Sequence, residues 1–264
     1  MYDYHTHSDF SDDSFTTMNE MIAAAIKKGV LEIAVTDHYD PDYPDPDYPF
    51  GIDFPNYHKK LREAAGAYKS RIKIIKGIEI GIQHGKTLLK CEAAATAFPY
   101  DFILGSFHAA YNQDLYTQYF KNNRAVESGF YDFYLYMADC IKEYKNFDVI
   151  GHFNVIDRYA GYIPEYAPYM EIIEKILKML IEDGKGLEFN TSSFRYGMGA
   201  RTTPSKEILK LYKKLGGEII TIGSDAHKAQ DIGYKYHDAV EIIRSYGFQY
   251  ISTFENRKPA FVRI

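Results

Sequence analysis

His5-Thr6-His7 closes a short N-terminal run, Tyr2 to His5, that reads as a strand. Side chains two apart on a strand share a face, so both imidazoles project together from its end. That is the arrangement two ligands of one metal ion need. An H-x-H pair is common by chance, and it gains meaning from what stands at the later strand ends. His38 follows the run Leu31 to Thr36, and Glu79 stands near the end of Ile72 to Ile80. His108 follows Phe102 to Ser106, and His152 follows Phe147 to Ile150. Asp225 and His227 follow Glu218 to Ile222. Nitrogen and oxygen donors without sulfur suit Zn²⁺, Mn²⁺, Fe²⁺ or Co²⁺. The set is too large for one ion. A carboxylate such as Glu79 can bridge two ions, and such centres stabilise the attacking and leaving oxygens of phosphoryl transfer. A further carboxylate is available in the turn Ser11-Asp12-Asp13.

The elements that must position these residues alternate along the whole chain. Thr17-x-x-Glu20 forms a capping box that opens a helix, Met18 to Lys28, with apolar residues at helical spacing and Gly29 as its stop. Helices are also expected over Asn56 to Lys69, Thr87 to Ala97, Phe130 to Lys145, Tyr169 to Glu182, Ser205 to Leu215 and His237 to Tyr246. Gly186 to Asn190 reads as a sixth strand, and Tyr250 to Phe254 as a last run before a short tail. Strands alternating with helices argue for a parallel sheet of βαβ units. The number of units points to a closed, slightly irregular barrel. In such a barrel every C-terminal strand end opens onto one face, where active-site loops gather. No linker or composition shift divides residues 1–264, so one domain is expected. The loop Tyr39 to Pro55, rich in Asp, Pro and Tyr, is too long for a connector and has the length of a lid over the site. The alternative is a solvated acidic excursion.

Composition sets the outer bounds. The chain has 264 residues, a formal net charge of -5 and a pI near 6.0, without the basic footprint of a nucleic-acid binder. Cys91 and Cys140 form no C-x-x-C, so a disulfide framework or a zinc ribbon is not expected, and a reducing, cytoplasmic setting fits. The first residues have no basic and apolar signal pattern. No apolar run approaches the roughly 18 residues of a membrane span.

Taken together, these motifs resemble the PHP (polymerase and histidinol phosphatase) superfamily. The resemblance rests on His5-Thr6-His7 with Ser11-Asp12, Thr36-Asp37-His38, Glu79, His108, His152 and Asp225-Ala226-His227. It implies a distorted (β/α)7 TIM-like barrel holding up to three divalent metals, among which Zn, Mn and Fe are the candidates. By motif, His5, His7, Glu79 and Asp225 would hold one metal, and Glu79, His108 and His152 a second. Asp12, His38 and His227 would hold the third. Asp12 is favoured over Asp13 because Ser-Asp is the commoner form of the motif. Two stretches, Gly151 to Tyr159 and Glu188 to Arg195, resemble the histidinol-phosphate phosphatase branch, in which Arg158 and Arg195 would clamp the substrate phosphate. A guanidinium fork matches phosphate bidentately, which is the physical reason for that role. The branch implies hydrolysis of L-histidinol phosphate in histidine biosynthesis by a metal-activated hydroxide. Arg158, Arg195, Asp225 and His227 form the expected catalytic set. Other PHP substrates are nucleotides, oligonucleotides and phosphotyrosine; a metal-dependent amidohydrolase or a non-catalytic metal-binding domain would use the same residues differently.

The remaining conspicuous residues read as structural. His58 and His237 belong to helices, and the cysteines are of a size to fill core gaps. His84 lies close enough to Glu79 in sequence to border a pocket. Gly85-Lys86-Thr87 fails as a P-loop because Gly81 is one residue too close.

Overall fold

The fold was obtained as a computed structural model and is described for residues 1–121, 124–198 and 201–264. Seven parallel strands form one sheet: β1 (Tyr2–Thr6), β2 (Glu32–Val35), β3 (Lys73–Gly81), β4 (Phe102–Ser106), β5 (Val149–Ile150), β6 (Gly186–Asn190) and β7 (Ile220–Gly223). They pair in sequence order, each with the next. The ring closes where the end of β1 meets the segment after β7. There the His7 amide donates to the Ala226 carbonyl at 2.9 Å and the Asp225 amide to the His5 carbonyl at 2.8 Å. The expected barrel is therefore present, nearly closed and held at its seam by residues of the chemical cluster itself.

Helices α1 (Met18–Lys27), α2 (Phe54–Tyr68), α3 (Thr87–Thr96), α4 (Val126–Glu143), α5 (Met170–Glu182), α6 (Lys206–Lys214) and α7 (Tyr236–Ser245) supply the crossovers and the outer layer. The capping box at α1 forms as expected: Thr17 accepts from the Glu20 amide while the Glu20 carboxylate accepts from the Thr17 amide. α4 begins four residues before the expected Phe130. Gly129 lies inside this helix with the Phe120 ring packed against it; a Cβ there would meet the ring at 2.6 Å. No helix among the described residues is long and apolar enough to cross a membrane.

The barrel interior is layered. Tyr4, Ala34, Ile75, Phe102, Leu104 and Val149 fill its lower part. The expected short tail is instead the second half of a hairpin, β8 (Tyr250–Glu255) with β9 (Lys258–Arg263), which closes the floor. Phe254 of this hairpin is packed on Tyr4 and Phe102, and its amide donates to the Tyr4 hydroxyl at 2.8 Å. Strand alternation then determines what lies above. Ile75 and Glu79 are four residues apart on β3 and share a face, as do Leu104 and Ser106 on β4. The upper interior is thus polar, and Ser106 donates to Glu79 at 2.5 Å. The loop Tyr39 to Pro55 starts as a two-residue strand, His38–Tyr39, running beside β3.

Candidate metal centre at the barrel mouth

Six of the nine histidines converge at the C-terminal ends of the strands, as the alternation predicts. His5 and His7 have ring centroids 5.0 Å apart, and the His7 ring stacks between His38 and His227 at 4.2 Å and 4.1 Å. Glu79 is fully buried at the centre. Its Oε2 faces His38 Nδ1 at 3.0 Å, His5 Nε2 at 3.2 Å and His7 Nε2 at 3.5 Å. Its Oε1 faces His152 Nε2 at 3.2 Å and His108 Nε2 at 3.4 Å. Each carboxylate oxygen therefore addresses a different group of imidazoles, the geometry of a bridging ligand. Asp225 Oδ1 stands 3.5 Å from His7 Nε2 and 3.7 Å from His5 Nε2. His38 belongs to two of the groupings, one with Glu79 and His108 and one with His7 and His227.

His5 Nε2, His7 Nε2, His38 Nδ1, His227 Nε2 and Glu79 Oε2 are buried and have no hydrogen-bond partner. Buried polar atoms without partners cost about 1–3 kcal/mol each, so five converging on one space call for a cation. The donor set fits divalent metals of the N/O-preferring kind. Burial and charge oppose each other across the cluster: burial lowers His5, His38 and His108, but the neighbouring carboxylates of Glu188, Glu79 and Asp40 raise all three above the ordinary histidine value. Burial pushes the Glu79 carboxyl up, but His5, His38 and His108 hold it well below the usual carboxylate range. Burial, together with the neighbouring His227 and His38, drives His7 well below the ordinary histidine value, leaving its ring neutral near pH 7 as a ligand must be. Burial likewise lowers His152.

Two expected site residues take other places. Asp12 is exposed, and its Oδ2 accepts from the Phe50 amide at 2.7 Å, tethering the long loop. Asp13 points inward instead, 3.1 Å from His227 Nε2 and 3.8 Å from His38 Nε2. Arg195 does not line the cavity: it donates to the carbonyls of Ser224 at 2.9 Å and Asp225 at 2.8 Å. Arg158 does line it. Its Nη2 donates to Ser192 Oγ at 2.5 Å and Asn190 Oδ1 at 3.2 Å, and its guanidinium lies 4.6 Å from the Tyr196 ring centroid. Its Nε is buried and unpartnered.

Two carboxylates escaped the sequence reading. Glu188 Oε1 takes His5 Nδ1 at 2.7 Å, orienting the ring so that Nε2 faces Glu79. Its signal was a charged residue inside the fully buried strand β6, which demands a partner. Asp40 Oδ1 takes His108 Nδ1 at 2.6 Å; nothing in the sequence separated it from the other loop aspartates. Two residues of the cluster hold left-handed backbone: His152 has φ 24° and Asp225 φ 54°, values uncommon for non-glycine residues. His58, by contrast, stacks on Phe98 at 4.2 Å within the helical layer, His237 is exposed on α7, and His84 pairs with Glu143 outside the cluster.

Residues 3–192 match the PHP domain family. The chain belongs to that family. Among its PHP relatives is the histidinol-phosphatase of Lactococcus lactis, 30% identical over 97% of this chain and 95% of that protein. A relative in Clostridium acetobutylicum, named a probable histidinol-phosphatase, is 30% identical over 92% of each chain. The fold is similar to the crystal structure of the Lactococcus lactis histidinol phosphate phosphatase with zinc, L-histidinol and phosphate. That similarity has a TM-score of 0.87 and 29% identity, and covers 98% of each chain. The histidines and carboxylates above stand at the mouth of a PHP barrel, in several groups that could each hold a metal ion.

Proposed function

We propose that this PHP protein is a metal-dependent phosphomonoesterase that hydrolyses L-histidinol phosphate to L-histidinol and phosphate in histidine biosynthesis, acting in the cytoplasm. One observation carries the reading: Glu79 splits its two oxygens between separate imidazole groups, and three of those imidazoles, His38, His108 and His152, line a cavity whose wall also holds the guanidinium of Arg158. Up to three divalent ions, zinc foremost, would be held by His5, His7, Asp13, His38, Glu79, His108, His152, Asp225 and His227. Asp13 takes the role first expected of Asp12. Bound there, such ions lower the pKa of water toward neutrality and neutralise phosphate oxygens.

The protein's own groups do the rest. Arg158 lines the cavity, and its partners Ser192 and Asn190 keep the fork from swinging away. It donates to phosphate oxygens where negative charge sits in the transition state. Burial pushes Asp225 up, but the neighbouring His5 and His7 and the charge of Arg158 hold its carboxyl well below the usual range, so it stays an anion. Arg195 acts one step behind, fixing the carbonyls that flank Asp225. The cavity, about 460 Å³, continues into a wall of Tyr43, Tyr48, Phe50 and Tyr116 with Asp45 and Asp114. Aromatic faces and carboxylates suit an imidazole and an ammonium, the two groups of histidinol.

The test is a substrate panel of histidinol phosphate, nucleoside monophosphates, short oligonucleotides and a phosphotyrosine peptide, with elemental analysis of the same protein. Phosphate release is expected from histidinol phosphate, lost on chelation and restored by zinc. An undiminished rate after complete metal removal, or a clear preference for another member of the panel, refutes the proposal.

A further inference from the structure

Asp40 is neither an expected ligand nor part of the cavity wall, yet it is buried among the ligands with 2% exposure. Its Oδ1 lies 2.6 Å from His108 Nδ1. A carboxylate accepts only, so Nδ1 carries a hydrogen toward Asp40, and the ring so held turns Nε2 toward Glu79 Oε1 at 3.4 Å and His152 Nε2 at 3.2 Å. Asp40 Oδ2 stands 3.5 Å from His38 Nδ1. Its main chain reaches the other way. The Asp40 amide donates to the Phe50 carbonyl at 3.1 Å and its carbonyl accepts from the Tyr43 amide at 3.2 Å. Tyr43 and Phe50 both line the cavity. One residue therefore joins the base of the long loop to two imidazoles of the cluster.

Room for this carboxylate comes from Gly81 at the end of β3. A Cβ at Gly81 would stand 1.9 Å from Asp40 Oδ1 and 2.3 Å from its carboxyl carbon. Gly81 lies in a regular strand without positive φ, so its requirement is space, not conformation. The small residue and the carboxylate form a seat and its occupant.

We infer that Asp40 is a positioning residue of the metal centre: seated on Gly81, it fixes the His108 ring with Nε2 toward Glu79 and His152 and ties the loop that bears Tyr43 and Phe50 to that ring. The inference rests on the metal-centre reading above. Partners of this kind, behind a ligand, are worth about 10- to 100-fold in metal affinity or activity.

The experiment uses the full-length, zinc-loaded protein and the variants Asp40→Asn, Asp40→Ala and Gly81→Ala. Asp42→Asn serves as a control on the same loop, where Asp42 meets only Lys90 and Thr87 among side chains. Zinc per chain, the rate of zinc transfer to a chromogenic chelator, and kcat and KM on histidinol phosphate are measured together. Asp40→Ala and Gly81→Ala are expected to release zinc about 10- to 100-fold faster and to lose kcat more than KM. Asp40→Asn keeps an acceptor for Nδ1–H without the charge and should fall between, while Asp42→Asn behaves as wild type. Folded Asp40 variants with wild-type zinc content and release overturn the inference. If the alanine variants do not fold, Asp40→Asn decides by the same criterion. A wild-type chain that binds no zinc sinks the metal-centre reading itself. A zinc-binding chain inactive on histidinol phosphate sinks only the substrate, and zinc release still tests Asp40.

Discussion

Replacing Arg158 by alanine should leave the metal cluster in place and remove most of the catalytic power. The Arg158 side chain is 7% exposed, so solvent does not screen its charge. Its present contacts run through Nη1 and Nη2 to neutral Ser192 and Asn190 and, at 3.5 Å, to Asp225 Oδ2. A charge-assisted hydrogen bond contributes about 1.5–3 kcal/mol, and truncating one member of a buried charged pair costs about 2–5 kcal/mol. Two bonds to a bound phosphate, less the cost of loosening the Ser192 and Asn190 contacts, give about 4 kcal/mol, or roughly a thousandfold in kcat/KM. Asp225 loses a cationic neighbour in the variant and becomes a stronger ligand if anything, so zinc content should hold. The assay is steady-state phosphate release from histidinol phosphate, with inhibition by inorganic phosphate as the binding readout and elemental analysis as the control. Arg158→Lys keeps the charge without the fork and should recover only part of the loss. An Arg158→Ala enzyme with full zinc and kcat/KM within threefold of wild type, a bound of about 0.7 kcal/mol, refutes a phosphate-binding role.

The other expectations separate neighbours that the sequence treats alike. Arg195→Ala should lower zinc content along with activity, because its bonds go to the carbonyls of Ser224 and Asp225; full zinc with a raised KM would return it to the phosphate. Asp13→Ala should lower zinc content, whereas Asp12→Ala should chiefly raise KM through the untethered Phe50 amide; elemental analysis of the pair decides, and the reverse pattern refutes the assignment. Burial pushes the Asp157 carboxyl up to about 6 against bonds from Asn154 and Tyr166 that pull it down. The folded state then binds the proton more tightly than the unfolded chain, so this group costs stability as pH rises from about 4 to about 6, by at most about 3 kcal/mol. Asp157→Asn should therefore gain on wild type in melting temperature between pH 5 and pH 7.5; a difference independent of pH refutes the shift.

The barrel and the histidines were legible because both obey short-range rules. Alternating strands and helices imply parallel strands whose C-terminal ends share a face, so a histidine after each strand is enough to place it. Asp12 and Asp13 were not separable this way. Adjacent residues in a turn point apart, and which one faces inward depends on Ser11, whose hydroxyl donates to Asp37 and lies 3.2 Å from His7 Nδ1, 26 residues and four residues away in sequence. For Arg195 the position after β6 was visible, but not its bonds to a pair of carbonyls after β7. The hairpin β8–β9 was half missed because Lys258 to Arg263 is largely exposed and carries Pro259, a residue that argues against a strand. Asp40 and Glu188 lie behind ligands, where no spacing rule announces a residue.

The two arginines, read from sequence as equal halves of a clamp, converge on Asp225 from opposite sides. Asp225 Oδ1 addresses His5 and His7, while Oδ2 takes Ser192 at 3.0 Å, Asn190 at 3.3 Å and Arg158 at 3.5 Å. Arg195 holds its carbonyl, and its amide donates to the His5 carbonyl across the barrel seam. One carboxylate thus has one oxygen on the histidine side and one on the Arg158 side, and the main chain that carries it closes the barrel. The approach that makes this possible depends on Gly223: a Cβ there would meet Glu188 Oε1 at 2.0 Å and His5 Cβ at 2.4 Å. The left-handed φ of Asp225 has a cause in this geometry. The residue must turn its carboxylate into the cluster while its amide and carbonyl stay pinned to β1 and to Arg195, and a relaxed conformation would surrender one of those contacts.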